Sequence, residues 1–141
     1  MLFSGDLIFH GLTPLVLMGS LEGARRALDW IAAMEPCHVI PGHGPLVGVD
    51  RLNGVLDDHD RYYRMVVTTA SSGRRDGLTP LEAAQRCDLT EFAGWPDSER
   101  LVLNLHRAYA DAERRELDLL GALVDAVTFN GGPMRTHVCG L

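Results

Sequence analysis

The segment Phe3-Ser-Gly-Asp-Leu-Ile-Phe9 predicts the first strand of this 141-residue protein and, with it, the fold class. Its apolar residues flank a Ser-Gly-Asp break, a pattern typical of a strand that ends in a functional turn. Cys37-His-Val-Ile40 is a second strand candidate, and it runs directly into Pro41-Gly-His-Gly-Pro45, which we expect to lie outside helix and sheet as a rigid loop. Each strand therefore brings one polar side chain, Asp6 or His43, to a turn.

Most of the remaining sequence is helical in pattern. Ser20 is placed to cap a helix that runs to about Glu35 and is stopped by Pro36. Apolar spacing and capping residues predict three further helices, at residues 50–70, 80–87 and 97–127, with a linker over 71–77. In the first of these helices, His59 and Tyr63 are expected to form a satisfied core pair. Cys37 is expected to be a small core residue on the second strand candidate.

Composition limits the classes of function. A chain of this length with 46% hydrophobic residues suits one modest domain. Its 13 basic residues are outnumbered by 19 acidic ones, and the net charge of -6 argues against nucleic-acid binding. The sequence has no apolar stretch of membrane-spanning length and no basic leader, so we expect a cytoplasmic protein without membrane association. Its three cysteines, Cys37, Cys87 and Cys139, form no C-x-x-C pair and predict neither a disulfide framework nor a zinc finger.

The candidate chemistry lies in the first 50 residues. His43 sits between two glycines that leave its imidazole unshielded, and flanking prolines stiffen the loop. A carboxylate and an imidazole are ligands for zinc, iron or manganese. We therefore expect Asp6 and His43 to converge at the same end of adjacent strands, within reach of one metal ion, and His10 to orient Asp6 from outside the coordination shell. The simpler alternative is a turn-forming aspartate and solvated histidines.

These motifs resemble the C-terminal half of the metallo-β-lactamase-fold hydrolases. Phe3–Phe9 resembles the strand of that superfamily that ends in the bridging metal-ligand aspartate, and Pro41–Pro45 resembles the loop of its last metal-ligand histidine. Later segments are similar to the helical C-terminal region of bacterial members, namely Gly77-Leu-Thr-Pro-Leu-Glu-Ala-Ala84, Glu99-Arg-Leu-Val102, Asn104-Leu-His-Arg-Ala-Tyr109 and Phe129-Asn-Gly-Gly132. The resemblance implies an α/β fold: half of an αββα sandwich with few strands over residues 1–50, and a helical region over 51–141 packed on it.

The resemblance also implies an activity. Members hydrolyse esters, thioesters, lactams or phosphoesters with a metal-bound hydroxide, and the complete site holds two zinc ions, with iron or manganese as alternatives. Here Asp6 matches the bridging ligand and His43 completes the shell of the second ion. The substrate would be a small molecule.

The sequence departs from the family in one respect that decides what the chain does alone. The family's first metal-binding motif, His-x-His-x-Asp-His, and a further ligand histidine are absent, so only Asp6 and His43 carry over. Zinc takes three or four protein ligands. We therefore expect a truncated gene, a mis-assigned start at Met1 or one half of a split hydrolase, inactive as an isolated chain.

Two expectations about partners follow. The apolar faces of Leu2-Phe3, Leu7-Ile8-Phe9 and Val39-Ile40 would lack an opposing sheet, which favours a homodimer or the binding of a complementary N-terminal half. The alternative from another class is a non-catalytic helical interaction module that keeps Asp6 and His43 as relics. Metal content discriminates the two.

Overall fold

The computed structural model describes residues 1–133, in which a small sheet packs against helices. The elements in chain order are β1 (Leu2–Phe9), α1 (Leu21–Ala33), β2 (His38–His43), β3 (Val47–Gly48), α2 (Val49–Arg75), α3 (Pro80–Arg86), a 3-10 turn (Thr90–Phe92), α4 (Arg100–Glu113) and α5 (Leu119–Asn130). The fold is thus mixed α/β, which confirms the fold class that the sequence predicted. In this part of the chain, no helix is both long and apolar enough to span a bilayer.

The sheet has the order β1-β2-β3, with β1 and β2 parallel and β2 and β3 antiparallel. Contrary to the prediction of a loop over 41–45, β2 continues through Pro41 to His43, and Phe9 pairs with His43. Pro41 pairs with Gly5, between two irregularities in the register. A disrupted ladder tolerates the missing N–H of proline, which explains why the strand is not interrupted there.

One face of the sheet is covered by helices. Ile8, Val39 and Val47 are fully buried in the same apolar cluster as residues of α1, α2, α3 and α4. The expectation of an unopposed apolar face is therefore wrong for this side, because helices take the place of an opposing sheet. On the other side, Phe3 and Leu7 remain exposed.

Local signals predicted the shorter helices well. Ser20 caps α1 by accepting from the Gly23 N–H at 3.0 Å, and Thr79 with Glu82 forms a capping box at the start of α3. The predicted end of α2 before residue 71 is wrong, since the helix continues to Arg75. Gly73 does not break it: a Cβ there would meet the Tyr109 hydroxyl and Ala83, so this glycine allows close helix packing.

The single long helix predicted over 97–127 is also wrong. Arg114 adopts a left-handed conformation with φ of 53° and ends α4. Asp118 then caps α5 by accepting from the Gly121 N–H at 2.9 Å. The continuous apolar stripe concealed this break, because the periodicity of one helix can be matched by two helices in succession.

Candidate metal centre

Asp6 and His43 lie side by side on the neighbouring strands β1 and β2. The Nε2 atom of His43 is 3.5 Å from the Oδ1 atom of Asp6. The strand end expected at Asp6 is not seen, because β1 continues to Phe9. The parallel pairing of β1 with β2 nevertheless brings Asp6, inside β1, beside His43 at the end of β2, within the metal-bridging distance that was expected. Their side chains are 74% and 46% exposed, respectively, so the pair is open to solvent and to ligands.

The spacing of the two donor atoms suits one shared ion. Ligand atoms about 2.0–2.1 Å from zinc in tetrahedral geometry lie about 3.3–3.4 Å from each other. The observed 3.5 Å is close to that spacing and is long for a direct hydrogen bond. The arrangement can therefore accept a cation between the two side chains without a large rearrangement.

Gly42 and Gly44 allow the two strands to approach at this point. A Cβ on Gly42 would strike the Asp6 carboxylate and would lie 2.7 Å from the carbonyl carbon of Gly5. A Cβ on Gly44 would strike the carbonyl of His10, and Gly44 has a φ of +89°. We expected these glycines to leave His43 unshielded, but each lies where a side chain would strike Asp6 or the end of β1, so they make room for both.

The imidazole of His43 is fixed by a buried aromatic ring. It stacks on Phe9, with ring centroids 5.1 Å apart and planes at 4°. The Arg100 guanidinium lies over the same phenyl ring at 5.3 Å and donates to the carbonyl of Thr13 at 2.9 Å. Sequence reasoning missed both Phe9 and Arg100. No local signal pairs either residue with His43, because the register of β1 and β2 forms only in the folded sheet and α4 is distant in sequence.

His10 supports the other side of the site. Its Nδ1 donates to the carbonyl of Pro45 at 2.9 Å, and its backbone N–H donates to the carbonyl of His43 at 2.9 Å. The predicted role of orienting Asp6 is thus replaced by another: His10 steadies the turn that carries His43. The reason is that the chain beyond Phe9 follows β2 past its end, which places His10 next to Pro45 rather than beside Asp6.

His59 lies beneath this part of the sheet and is 1% exposed. Its Nε2 accepts from the Phe9 N–H at 2.9 Å, and its Nδ1 donates to the carbonyl of Val55 at 2.8 Å. Burial lowers the pKa of His59, and the two hydrogen bonds require the neutral ring. His59 and Tyr63 are both buried, as predicted for a core pair, and the Tyr63 ring lies edge-on to the His59 ring at 6.0 Å. Of these two side chains, only that of His59 has hydrogen-bond partners within residues 1–133.

Cys37, predicted to be a core residue, is exposed. β2 begins only at His38, so Cys37 lies in the turn before the strand, and Val39 provides the inward side chain instead. Cys139, for which no pairing was predicted, lies outside the described residues.

The candidate site has few side chains that can act as metal ligands. Among residues 1–133, no group of three or more His, Cys, Asp or Glu side chains is arranged to hold a metal ion. Asp6 and His43 have the right chemistry and the right spacing for zinc, but a stable zinc site needs at least one more protein ligand.

Comparison with known proteins adds no family to this picture. No protein-family model matches the sequence, and no curated protein matches it. The Asp6–His43 pair and the resemblance of its two motifs are therefore the basis for proposing a function.

Proposed function

We propose that this chain contributes the Asp6–His43 part of the metal centre of a metal-dependent hydrolase with the metallo-β-lactamase fold. In this proposal, β1, β2 and β3 belong to one sheet of an αββα sandwich, and the helices from α2 onward form the region that covers it. The other ligands come from another segment of polypeptide, either a complementary N-terminal half or a second chain.

The observation that carries the proposal is the 3.5 Å separation of the His43 and Asp6 donor atoms on the neighbouring parallel strands β2 and β1. A solvated turn aspartate would need no such neighbour. It would also need no glycine opposite it, yet Gly42 leaves no room for a Cβ beside the Asp6 carboxylate. Phe9 and His10 hold the His43 ring and its turn, as expected for a ligand whose orientation matters.

The chain's own residues would act by holding and orienting. Asp6 and His43 bind the cation, Phe9 sets the plane of the imidazole, and neutral His59 fixes the backbone of Phe9. When bound, zinc, or iron or manganese in its place, lowers the pKa of a coordinated water and supplies hydroxide for the hydrolysis of an ester, thioester, lactam or phosphoester.

Cobalt titration of the purified chain, followed by its visible absorption, tests the ligand pair. We expect weak binding that Asp6→Ala and His43→Ala each weaken at least about tenfold. His38→Ala is the matched control, because His38 is an exposed histidine on the same strand. Binding that is equally strong in all three variants would contradict the proposal.

Activity tests the incompleteness of the site. With two protein ligands, the purified chain should show no turnover of ester, lactam or phosphoester substrates above background. Turnover that a chelator and Asp6→Ala both abolish would show that the chain completes a site by itself, for instance across a dimer.

A second candidate function, a non-catalytic interaction module, is favoured by α5. This helix exposes an apolar surface formed by Leu119, Leu120, Val124 and Val127, while small residues face the protein. Exposed apolar patches often mark protein-binding surfaces. Metal analysis of the chain purified without chelator distinguishes the two functions: retained zinc, iron or manganese favours the hydrolase, and none favours the module.

A further inference from the structure

A groove of about 550 Å³ is lined by Asp6 and by the chain between β1 and α1. Its walls are mostly apolar and include Leu7, Leu15, Leu17 and Met18, with the first turn of α1 at one side. This volume lies within the range of about 300–1,000 Å³ typical of small-molecule sites. The groove thus adjoins one of the two proposed metal ligands.

Tyr63 lines this groove and carries a hydroxyl group. The residue is 1% exposed and lines the groove, and its hydroxyl makes no hydrogen bond within residues 1–133. Among residues 1–133, a side-chain polar atom that is both fully enclosed and without a partner occurs at Nε of Arg107 and not at Tyr63, so the Tyr63 hydroxyl keeps some contact with solvent. Burial raises the pKa of Tyr63, so the hydroxyl stays protonated at neutral pH and can donate.

A hydroxyl without a partner among residues 1–133, on a residue that lines the groove, can donate to a ligand there, and this hydrogen bond replaces one to water. The ligand must also present an apolar body to Leu7, Leu15 and Leu17. An acyl chain attached to a carbonyl satisfies both requirements, since its tail is apolar and its oxygen is an acceptor.

We propose that this groove binds the acyl group of an ester or thioester, with the chain along Leu7, Leu15 and Leu17 and a carbonyl oxygen accepting from the Tyr63 hydroxyl. Because Asp6 lines the groove, the acyl group lies beside the proposed metal centre. The inference thus rests on the proposed function for its catalytic meaning, but the binding itself requires no metal.

Calorimetric titration of the full chain in the presence of a chelator tests the groove. The probes are the decanoyl thioester of N-acetylcysteamine, the decanoyl ester of N-acetylethanolamine and the acetyl thioester as the short control. Each buried methylene contributes about fourfold in affinity, so we expect decanoyl probes to bind at least about fiftyfold more tightly than the acetyl probe. A preference between the two decanoyl probes identifies the acyl carrier.

Variants locate the site. Tyr63→Phe should weaken decanoyl binding about tenfold, whereas Tyr62→Phe should not, because the Tyr62 hydroxyl accepts from Asn104 in the core. Leu7→Gln should also weaken binding, and Leu120→Gln, a change at an exposed leucine of α5 outside the groove, should not. Equal affinity for decanoyl and acetyl probes, or an unchanged affinity in folded Tyr63→Phe, would overturn the proposal.

His43→Ala separates the two proposals. It removes a metal ligand that does not line the groove, so metal binding should fall while decanoyl binding persists. Loss of decanoyl selectivity with His43-dependent metal binding intact would refute the acyl groove alone. Decanoyl selectivity without any His43-dependent metal binding would refute the metal centre alone.

Discussion

Gly42 lies where any side chain would strike the carboxylate of Asp6, and this makes it as important to the site as the ligands themselves. His59 acts at greater depth: it holds the backbone of Phe9, whose ring lies against His43. At the scale of single residues, the geometry of the candidate centre thus depends on the absence of a side chain at Gly42 and on the neutral imidazole of His59.

Gly42→Ala should displace Asp6 and weaken cobalt binding at least about tenfold, since a Cβ cannot be accommodated beside the carboxylate. Gly54→Ala is the matched control, because that glycine lies within α2 and an added Cβ there meets no atom within 4 Å. The control should leave cobalt binding unchanged and raise the free energy of unfolding by about 0.5–1 kcal/mol. Unchanged cobalt affinity in Gly42→Ala would show that Asp6 is not held as described.

His59 should make the protein less stable in mild acid. Its pKa in the folded state lies below the ordinary value of 6.5, so the unfolded chain takes up the proton more readily. Its contribution is therefore fully present above about pH 6.5 and is lost as the pH falls towards the folded pKa, by up to about 1.4 kcal/mol per pH unit. Urea unfolding between pH 7 and 5 measures this slope, which should shrink in His59→Gln and persist in His38→Gln. An identical slope in His59→Gln would contradict the assignment.

At the scale of elements, α4 organises the chain between β1 and α1. Asn104, fully buried, accepts from the Val16 N–H at 2.7 Å and donates to the carbonyl of Pro14 at 2.8 Å and to the Tyr62 hydroxyl at 3.1 Å. The backbone N–H of Thr13 also donates to the carbonyl of Pro96. Hydrogen bonds from α4 thus hold the chain segment that forms the wall of the proposed groove, although α4 lies many residues later in the sequence.

Asn104→Ala should lower the free energy of unfolding by about 3 kcal/mol. The change leaves the Val16 N–H and the Pro14 carbonyl without a partner in the core, and each such loss costs about 1–3 kcal/mol. Asn53→Ala, at an exposed position of α2, should change it by less than about 0.5 kcal/mol. Denaturant titration compares the two, and an effect of Asn104→Ala as small as that of the control would refute this role.

The elements that could be predicted from sequence are those fixed by neighbours along the chain. The caps at Ser20 and Thr79 are local, and α1 and α3 follow from them. The extent of α2 depends on Gly73 packing against Tyr109 and Ala83, which no local pattern contains.

The same distinction between local and long-range interactions applies to the candidate site. Asp6 and His43 were found because each occupies a distinctive local motif. The Phe9 stacking, the Arg100 contact and the Asn104 hydrogen bonds join residues far apart in sequence, so the sequence alone could not pair them.

At the scale of the whole molecule, β1 forms an open edge of the sheet. Within residues 1–133, β1 pairs only with β2, and its other edge has no strand beside it. Phe3 on this strand is 73% exposed. An open edge with an exposed apolar side chain is a surface for association, and we propose a second copy of the chain as its partner when the protein is purified alone.

Sedimentation equilibrium at micromolar concentration should therefore show a dimer. Burial of roughly 400 Å² of apolar surface would contribute about 10 kcal/mol before losses of entropy. Phe3→Glu should shift the protein to monomer, and Leu120→Gln should not, because Leu120 lies on α5. Dissociation by Leu120→Gln instead would place the interface on α5, and a monomer in every case would refute association.

The parallel pairing of β1 and β2 has a kinetic consequence. Parallel neighbours need a crossover, and here Ser4 donates across the strands to the carbonyl of Ile40, 36 residues later. The chain must close this large loop, with α1 inside it, before Asp6 meets His43, and the entropy of closure is lost before the contact is gained. Nascent helices can form earlier from local contacts alone. During refolding, cobalt capture should therefore appear after the helical circular dichroism signal has recovered, so that metal binding reports the final closure of the sheet.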